Sequence, residues 1–313
     1  KLDPYMPWPI MVTAFLFFAK SIVMFKYLEN QLPKLVMAPT AIAMFVCMYG
    51  FIAWTVGLSF TKSRMMPQWD FVGLMQYEKL FANPRWMVAL DNLWIFTFLF
   101  IVISLFIGLM LAIFLDRNVR AEGALRTIYL YPMAISFVVT GTAWKWILNP
   151  GLGIEKLVRD LGFTDFEFRW LVDQDMAIYT IVIAAVWQSS GFVMAMFLAG
   201  LRGIDDNLIK AAQIDGASTT RTYWHIILPM MKPVFFGAIV VLSHIAIKSF
   251  DLVQALTGGG PGYASDLPAN FMYTFAFNRA QMGVGAASAV IMLCGVLAIL
   301  VPYLYSELRS DKQ

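Results

Sequence analysis

Apolar residues along this chain run in long blocks separated by short polar loops, without the two-residue alternation of half-buried strands. A helix needs about 20 mostly apolar residues, at ~1.5 Å each, to cross a hydrocarbon core of roughly 30 Å. Six blocks reach that length: Leu35–Phe60, Asn92–Leu115, Thr127–Leu148, Ala177–Leu198, Val234–Leu256 and Gly283–Tyr305. Lipid offers backbone amides no water, so each block is predicted to close its own hydrogen bonds as a helix. The pattern therefore predicts an all-α integral membrane fold with six core spans. No internal repeat at a fixed period is visible.

A seventh block, Ile10–Tyr27, is about one span long but contains Lys20. Tyr5, Trp8 and Tyr27 flank it as interfacial aromatics would. Lys20 lies less than two turns from Lys26, so both heads can reach the same membrane face. An extra span and a helix lying in the interface both fit. A signal peptide fits less well, because no small-residue cleavage site follows. The chain divides accordingly into an N-terminal extension (1–35), a transmembrane domain (36–306) and a short tail (307–313).

Composition agrees with the pattern. Of 313 residues, 60% are hydrophobic and 14% are charged, whereas a soluble domain carries roughly 25% charged residues. An ordinary soluble enzyme, a disordered tail and a nucleic-acid binder are excluded, the last also by a net charge of only +3. Cys47 and Cys294 sit inside apolar runs and imply no disulfide framework.

Loop charge sets the orientation. The second and fourth loops between core spans, with the C-terminal tail, hold Arg117, Arg120, Arg126, Arg202, Lys210, Arg221, Lys232, Arg309 and Lys312, nine bases in about 54 residues. The opposite loops hold Lys62, Arg64, Lys79, Arg85, Lys156, Arg159, Arg169 and Arg279, eight in about 84. The first set is expected in the cytoplasm. The segment Glu155–Asp175, with six acids against three bases, suits the outer face.

The longest loop expected in the cytoplasm, near 200–232, contains Lys210-Ala211-Ala212-Gln213-Ile214-Asp215-Gly216-Ala217-Ser218 and ends in Ile226-Ile227-Leu228-Pro229. Asp205 or Asp206 can cap a short helix through Lys210, and Ser218 can cap a second. Gly216 between them supplies a tight turn where a Cβ would interfere. The product is a helix–Gly–helix elbow lined by small residues, suited to docking in a partner's groove; an ordinary interfacial loop is the plainer alternative.

This segment resembles the EAA loop of permease subunits of bacterial ATP-binding-cassette importers. Their pattern, E-A-A, three residues, G, nine residues, I-x-L-P, finds Ala211, Ala212, Gly216, Ile226, Leu228 and Pro229 in register, with Asp215 and Ala217 flanking the glycine as in the sugar branch. Lys210 stands where that family usually has glutamate, which reverses the charge offered to an ATPase surface. Other pieces resemble the maltose-type, carbohydrate-importing subgroup: Val72-Gly73-Leu74 with Tyr77 and Leu80-Phe81; Trp144-Lys145-Trp146 with Asn149-Pro150; Trp187-Gln188 with Gly191-Phe192; and Lys248 with Phe250-Asp251 and Thr257–Pro261. The resemblance covers roughly 36–306. It implies a type I importer permease fold, with Lys210, Ala211, Ala212, Asp215, Gly216, Ala217 and Ser218 coupling to the ATPase.

Polar residues within spans are costly and invite a functional reading. His244, Lys248 and Asp251 follow an i, i+4, i+7 pattern, so on one continuous helix they share a face, and Lys248 and Asp251 can pair. Such a pair either fixes the helix against a neighbour or lines a substrate cavity. The resemblance places substrate contacts near Gln188, Ser189 and Phe192 before the EAA loop, and near Ala246 and Ser249 after it. Trp187, Gln188, Ser189, Phe192 and Ser249 supply the amides, hydroxyls and aromatic faces that hold sugars. Ala246 offers no hydrogen bond.

The run Gly258–Gly262 lacks the Lys-Ser/Thr ending of a phosphate-binding loop and follows a span rather than a strand. His225 and His244 are too few and too far apart for a metal site or a catalytic triad. No catalytic residue, bound cofactor or metal is expected in this chain. What the resemblance implies is a bacterial inner-membrane permease subunit with its C-terminus in the cytoplasm, working with a second, homologous permease, two ATPase subunits that hold ATP and magnesium, a periplasmic or extracellular solute-binding protein and a carbohydrate. A self-contained secondary transporter or channel is the alternative, and it leaves the EAA spacing to coincidence.

Overall fold

A computed structural model describes residues 8–117 and 120–310, with side chains over 31–34, 36–117 and 120–305. Tyr5 and Lys312, and the side chains of Trp8, Lys20, Lys26, Tyr27 and Arg309, lie outside the described residues. The chain divides into two units, residues 1–57 and 58–313. Helix α1 (Trp8–Ser59) absorbs both the Ile10–Tyr27 block and the first core span, with Pro33 and Pro39 inside it. The boundary drawn at 35 thus falls within a helix. The most apolar 18-residue stretch within Gln31–Ser59 buries none of its residues (0%), as a helix clothed by lipid or by another subunit would.

The second unit continues with α2 (Met75–Phe81), α3 (Pro84–Asp116), α4 (Glu122–Ala134), α5 (Phe137–Ile147), α6 (Ile154–Asp160) and α7 (Ala177–Arg202). Then come α8 (Asp206–Ile214), α9 (Thr219–Thr222), a π turn over Tyr223–Ile227, α10 (Leu228–Met230), α11 (Lys232–Ile247) and α12 (Asp251–Leu256). The chain closes with α13 (Pro268–Tyr273), a second π turn over Thr274–Asn278 and α14 (Met282–Ser310). Among the described residues no strand forms, and the one bridge, Thr61 to Phe71, is isolated.

Helix α7 is the hub. In its most apolar stretch 67% of the residues are buried, against 28% in α3 and in α14. Phe96 and Phe100 of α3 stack with ring centroids 5.4 Å apart and join Ile181, Met194 and Phe197 of α7 in one core with Leu242 of α11 and Leu252 of α12. Small residues let the backbones approach, as membrane helices require. A Cβ at Gly191 of α7 would fall 1.8 Å from the carbonyl oxygen of Tyr129 in α4, and one at Gly141 of α5 would fall 3.0 Å from that of Leu252.

Two expected spans differ from straight helices. The Thr127–Leu148 block is broken into α4 and α5, which meet at 99°. Pro132 offers no N–H, and the Ser136 hydroxyl caps α5 by accepting from the Val139 amide, so the sequence itself ends one helix and starts the next. The Val234–Leu256 block is also divided: α11 stops at Ile247 and α12 starts at Asp251. Helix α11 instead continues, across a 62° bend, from the elbow helices Thr219–Met230. Among the described residues four helices are long and apolar enough to cross a membrane, and counting each bent pair as one span brings the number to six.

Candidate functional site

The elbow at 205–218 is built as its sequence suggests, with one change of reason. Asp205, not Asp206, caps α8: its Oδ1 accepts from the Asn207 amide at 2.9 Å. At the other end Gly216 adopts φ +77°. The Ala217 amide donates to the Ala212 carbonyl at 2.9 Å, and the Gly216 amide to that of Gln213 at 3.0 Å. That pair of bonds is a Schellman motif, which needs a left-handed residue at this position. A Cβ at Gly216 would meet nothing within 4 Å, so the glycine is required by backbone angle and not, as expected, by crowding. Ser218 then caps α9, accepting from the Arg221 amide at 3.4 Å.

Ala212 is the elbow's anchor, buried among its neighbours; Ala217 is half-buried. Lys210, Ala211, Asp215, Gly216 and Ser218 are exposed. So are two large apolar residues of α8, Leu208 (44%) and Ile214 (86%). Neither was singled out in the sequence, although their places beside Ala211-Ala212 are where a partner's groove would close. The base of the elbow is tied down by Arg202 at the end of α7. It pairs with Glu122 of α4 at 2.7 Å and with Asp116 of α3 at 3.8 Å, which joins three helix ends.

The residues expected to contact substrate separate into different surroundings. Trp187, 41% exposed, packs edge-on against Trp144 with centroids 5.9 Å apart. Both line a groove of about 690 Å³ between α3, α4, α5 and α7, with Tyr129, Tyr131 and Ser190. None of the other seven expected residues lines that groove. Gln188 is buried, and its Nε2 donates to the Ile135 carbonyl at 2.7 Å, at the break between α4 and α5. A carbonyl freed by a broken helix in lipid needs such a partner. Its Oε1 is buried with no partner among the described residues. Ser189 and Ala246 are buried and Phe192 is half-buried against the core.

Lys248 and Asp251 do not pair in this structure and do not share one helical face. Lys248 is the C-cap of α11, and Asp251 opens α12, with Ser249 and Phe250 between the helices. The helix break overturns the i, i+4, i+7 geometry. Each charge instead suits its own helix end: a cation near the carbonyl end of α11 and an acid at the amide end of α12. Both are exposed, and Ser249 is half-buried.

Sequence reasoning missed a buried polar cluster behind the Gly258–Gly262 exit. Arg85 Nε donates to Asp266 Oδ2 at 2.6 Å, with Asp266 fully buried (0% exposed) and Arg85 16% exposed. Asn92 Nδ2 donates to the carbonyls of Ala264 (2.8 Å) and Asp266 (3.0 Å), and the Asn270 amide donates to the other Asp266 oxygen.

Residues 104–310 match the family described as the binding-protein-dependent transport system inner membrane component. The chain belongs to that family. The match begins in α3 and ends with α14, so it takes in the broken spans and the whole elbow of this permease subunit. Similar proteins include one of Pyrococcus horikoshii described as a probable ABC transporter permease, 38% identical over 89% of this chain and 96% of that one. The xylose/arabinose import permease XacH of Haloferax volcanii is 35% identical, covering 86% of each. Among solved structures, a bacterial alginate ABC transporter with its pentasaccharide-bound periplasmic protein contains a chain that superimposes with TM-score 0.78 at 19% identity, over 92% of this chain and 98% of that one. That likeness shows the fold.

Proposed function

We propose that this permease subunit carries a carbohydrate or carbohydrate derivative inward, and that the 205–218 elbow is the surface through which ATPase subunits drive it. The observation that carries the reading is the elbow itself. It is a short helix with both ends closed by hydrogen bonds, yet its Ile214 side chain is 86% exposed. A rigid lever with an uncovered apolar contact suits the transmission of force from a partner. The sugar assignment is supported by the xylose/arabinose relative. The hydroxyl and aromatic groups at Trp187, Gln188, Ser189, Phe192 and Ser249 suit such a ligand, with Ala246, Lys248 and Asp251 as the remaining candidate positions.

In this reading the elbow and the C-terminus are both cytoplasmic. ATP and magnesium are held by two ATPase subunits, a second permease completes the path, and a solute-binding protein delivers substrate from outside. Closure of the ATPases moves α8. Because Arg202 links α7 to the ends of α3 and α4 beside the elbow, that motion reaches the hub helix directly. Lys210, exposed on α8, would face an acidic patch on the ATPase.

The test is reconstitution in liposomes with the ATPases and the candidate solute-binding protein. ATP hydrolysis stimulated by the loaded binding protein, with accumulation of labelled pentose or oligosaccharide, is the expected result. Uptake that follows an ion gradient and ignores ATP would overturn the reading.

A further inference from the structure

A second site lies at the opposite end of the spans from the elbow. Lys62, Arg64, Lys79 and Arg279 converge on a cavity of about 580 Å³ whose wall includes no acidic residue. None of the four forms an ion pair among the described residues, whereas Arg85, Arg159, Arg169 and Arg202 all do. The cup is firmly framed. The Gly283 amide donates to the Ser63 carbonyl at 2.9 Å, and buried Gln76 donates to that of Thr61 at 2.7 Å. The Ser63 hydroxyl ties the loop to Gln68. The Arg279 guanidinium sits over the Phe275 ring, 4.7 Å from its centroid. Beside it Ala280 holds φ +51°, a left-handed conformation uncommon for a non-glycine residue and found where surrounding structure enforces it. Like-charged side chains converging without a counter-charge are unfavourable unless an anion joins them.

We propose that this cup holds the headgroup of an anionic phospholipid. Depth decides for lipid over a soluble anion. Lys62 lies three residues past Ser59, where α1 ends, and Arg279 lies three before Met282, where α14 begins. The cup is therefore within three residues of the ends of two helices read as spans, which is where lipid phosphates are expected. Its neighbouring loop exposes Met65 (79%), Met66 (73%), Trp69 (59%) and Phe71 (75%), the apolar and aromatic kind of rim that settles in the interface beside acyl chains. The guanidinium and ammonium donors match phosphodiester oxygens. The outer leaflet follows from the orientation proposed above; binding itself does not depend on it.

The test is native mass spectrometry of the full transporter complex in mild detergent, titrated with phosphatidylglycerol and, separately, phosphatidylcholine and inorganic phosphate. Phosphatidylglycerol is expected to bind at least about tenfold more tightly than phosphatidylcholine. The combined Lys62→Gln, Arg64→Gln, Lys79→Gln and Arg279→Gln variant should lose that preference while melting like the parent. Lys156→Gln, on the same face but outside the cup, should keep it. If the combined variant melts early, the single Lys79→Gln and Arg279→Gln variants carry the test, each expected to weaken phosphatidylglycerol about fivefold. Equal binding of the two lipids overturns the proposal, as does a preference untouched by the substitutions. Occupation of the cup by inorganic phosphate but not lipid also overturns it. So does loss of binding-protein association in the variants without any lipid preference, which would make the cup a protein-docking surface. Failure of ATP-driven uptake leaves this measurement intact, so the two readings stand or fall separately.

Discussion

The loop that leaves α12 and the elbow that precedes α11 are both glycine-containing connections between spans, yet they are stabilised in opposite ways. The exit loop around 257–281 is completed from within. Asp266 is 0% exposed and Asn270 1%; Arg85 and Asn270 Nδ2 donate to the Asp266 carboxylate, and of the two side chains only Asn270 Oδ1 is left without a partner among the described residues. Gly259 is needed there on two counts: its φ is +87°, as left-handed as that of Gly216, and in addition a Cβ would fall 2.7 Å from the Asn270 amide nitrogen. The elbow has its caps, the buried Ala212 and a half-buried Ile209 against the core, and it leaves Ile214 uncovered. One connection is filled in by this chain's own side chains; the other exposes an apolar side chain that this chain does not cover. If the elbow couples to the ATPases as proposed, that difference separates a fixed frame from a moving contact.

The largest effect should come from opening the exit loop. Asp266→Ala leaves the mostly buried Arg85 without its counter-charge, and breaking a buried pair costs roughly 3–5 kcal/mol. Melting of the detergent-solubilised subunit should fall steeply. The comparison residue is Arg202, whose partners are about one-third exposed; Arg202→Ala should cost about 1 kcal/mol or less. Equal losses at the two sites would erase the contrast.

At the elbow the effect should appear in partnership and not in the melting of the subunit alone. Ile214→Ser removes an apolar side chain that this chain does not bury. Burying such a side chain is worth about 1.5–3 kcal/mol, so ATPase association should weaken by roughly tenfold to a hundredfold. The isolated subunit's melting should not move. Pull-down of the ATPase from solubilised membranes, read beside that melting curve, checks both halves of the statement.

How much of this was legible in the sequence depends on the length over which a signal is repeated. Apolar blocks of span length carry about 20 concordant residues each, and they located the core helices. The elbow was legible because caps and turns are local: Asp205, Gly216 and Ser218 act on amides within three residues of themselves. The two broken spans were not read, although Pro132 with Ser136 is a stop followed by a cap. Hydrophobicity alone is blind to a bend, since both limbs remain in lipid. The same blindness produced the Lys248–Asp251 pair, which needs a continuous helix. Arg85 and Asp266 are 181 positions apart, so no local pattern joins them. Gln188 was chosen as a ligand group; its donation to Ile135 depends on a break in a different helix.

Gly216 sharpens the comparison at smaller amplitude. Space is free around it, so the cost of Gly216→Ala is the left-handed backbone alone, about 1 kcal/mol. Gly216→Asn should cost less, since asparagine tolerates that region. At Gly259 the reverse is expected: Gly259→Asn should be worse than Gly259→Ala, because the larger side chain drives further into Asp266 and Asn270. Ranking the four variants by melting and by coupled ATP hydrolysis separates angle from space. An identical ranking at both glycines would show that one requirement governs both loops.

The smallest expected effect concerns the two elbow caps. Asp205 accepts from the Asn207 amide at 2.9 Å and brings a negative charge to the amide end of α8, where it is favoured. Ser218 accepts from the Arg221 amide at 3.4 Å, near the limit of a hydrogen bond, and brings no charge. Replacing a cap by alanine costs about 0.5–2 kcal/mol, and geometry places Asp205→Ala toward the middle of that range and Ser218→Ala at its foot. Both losses are too local to shift melting of a unit held together by α3 and α7. They should appear in hydrogen exchange, with the first-turn amides of α8 exchanging faster in Asp205→Ala and the Arg221 amide only slightly faster in Ser218→Ala. If the caps stiffen the lever, coupled ATP hydrolysis should decline in the same order. Faster exchange with unchanged coupling would mean that the ATPase surface, once bound, supplies the rigidity that the caps give the free elbow.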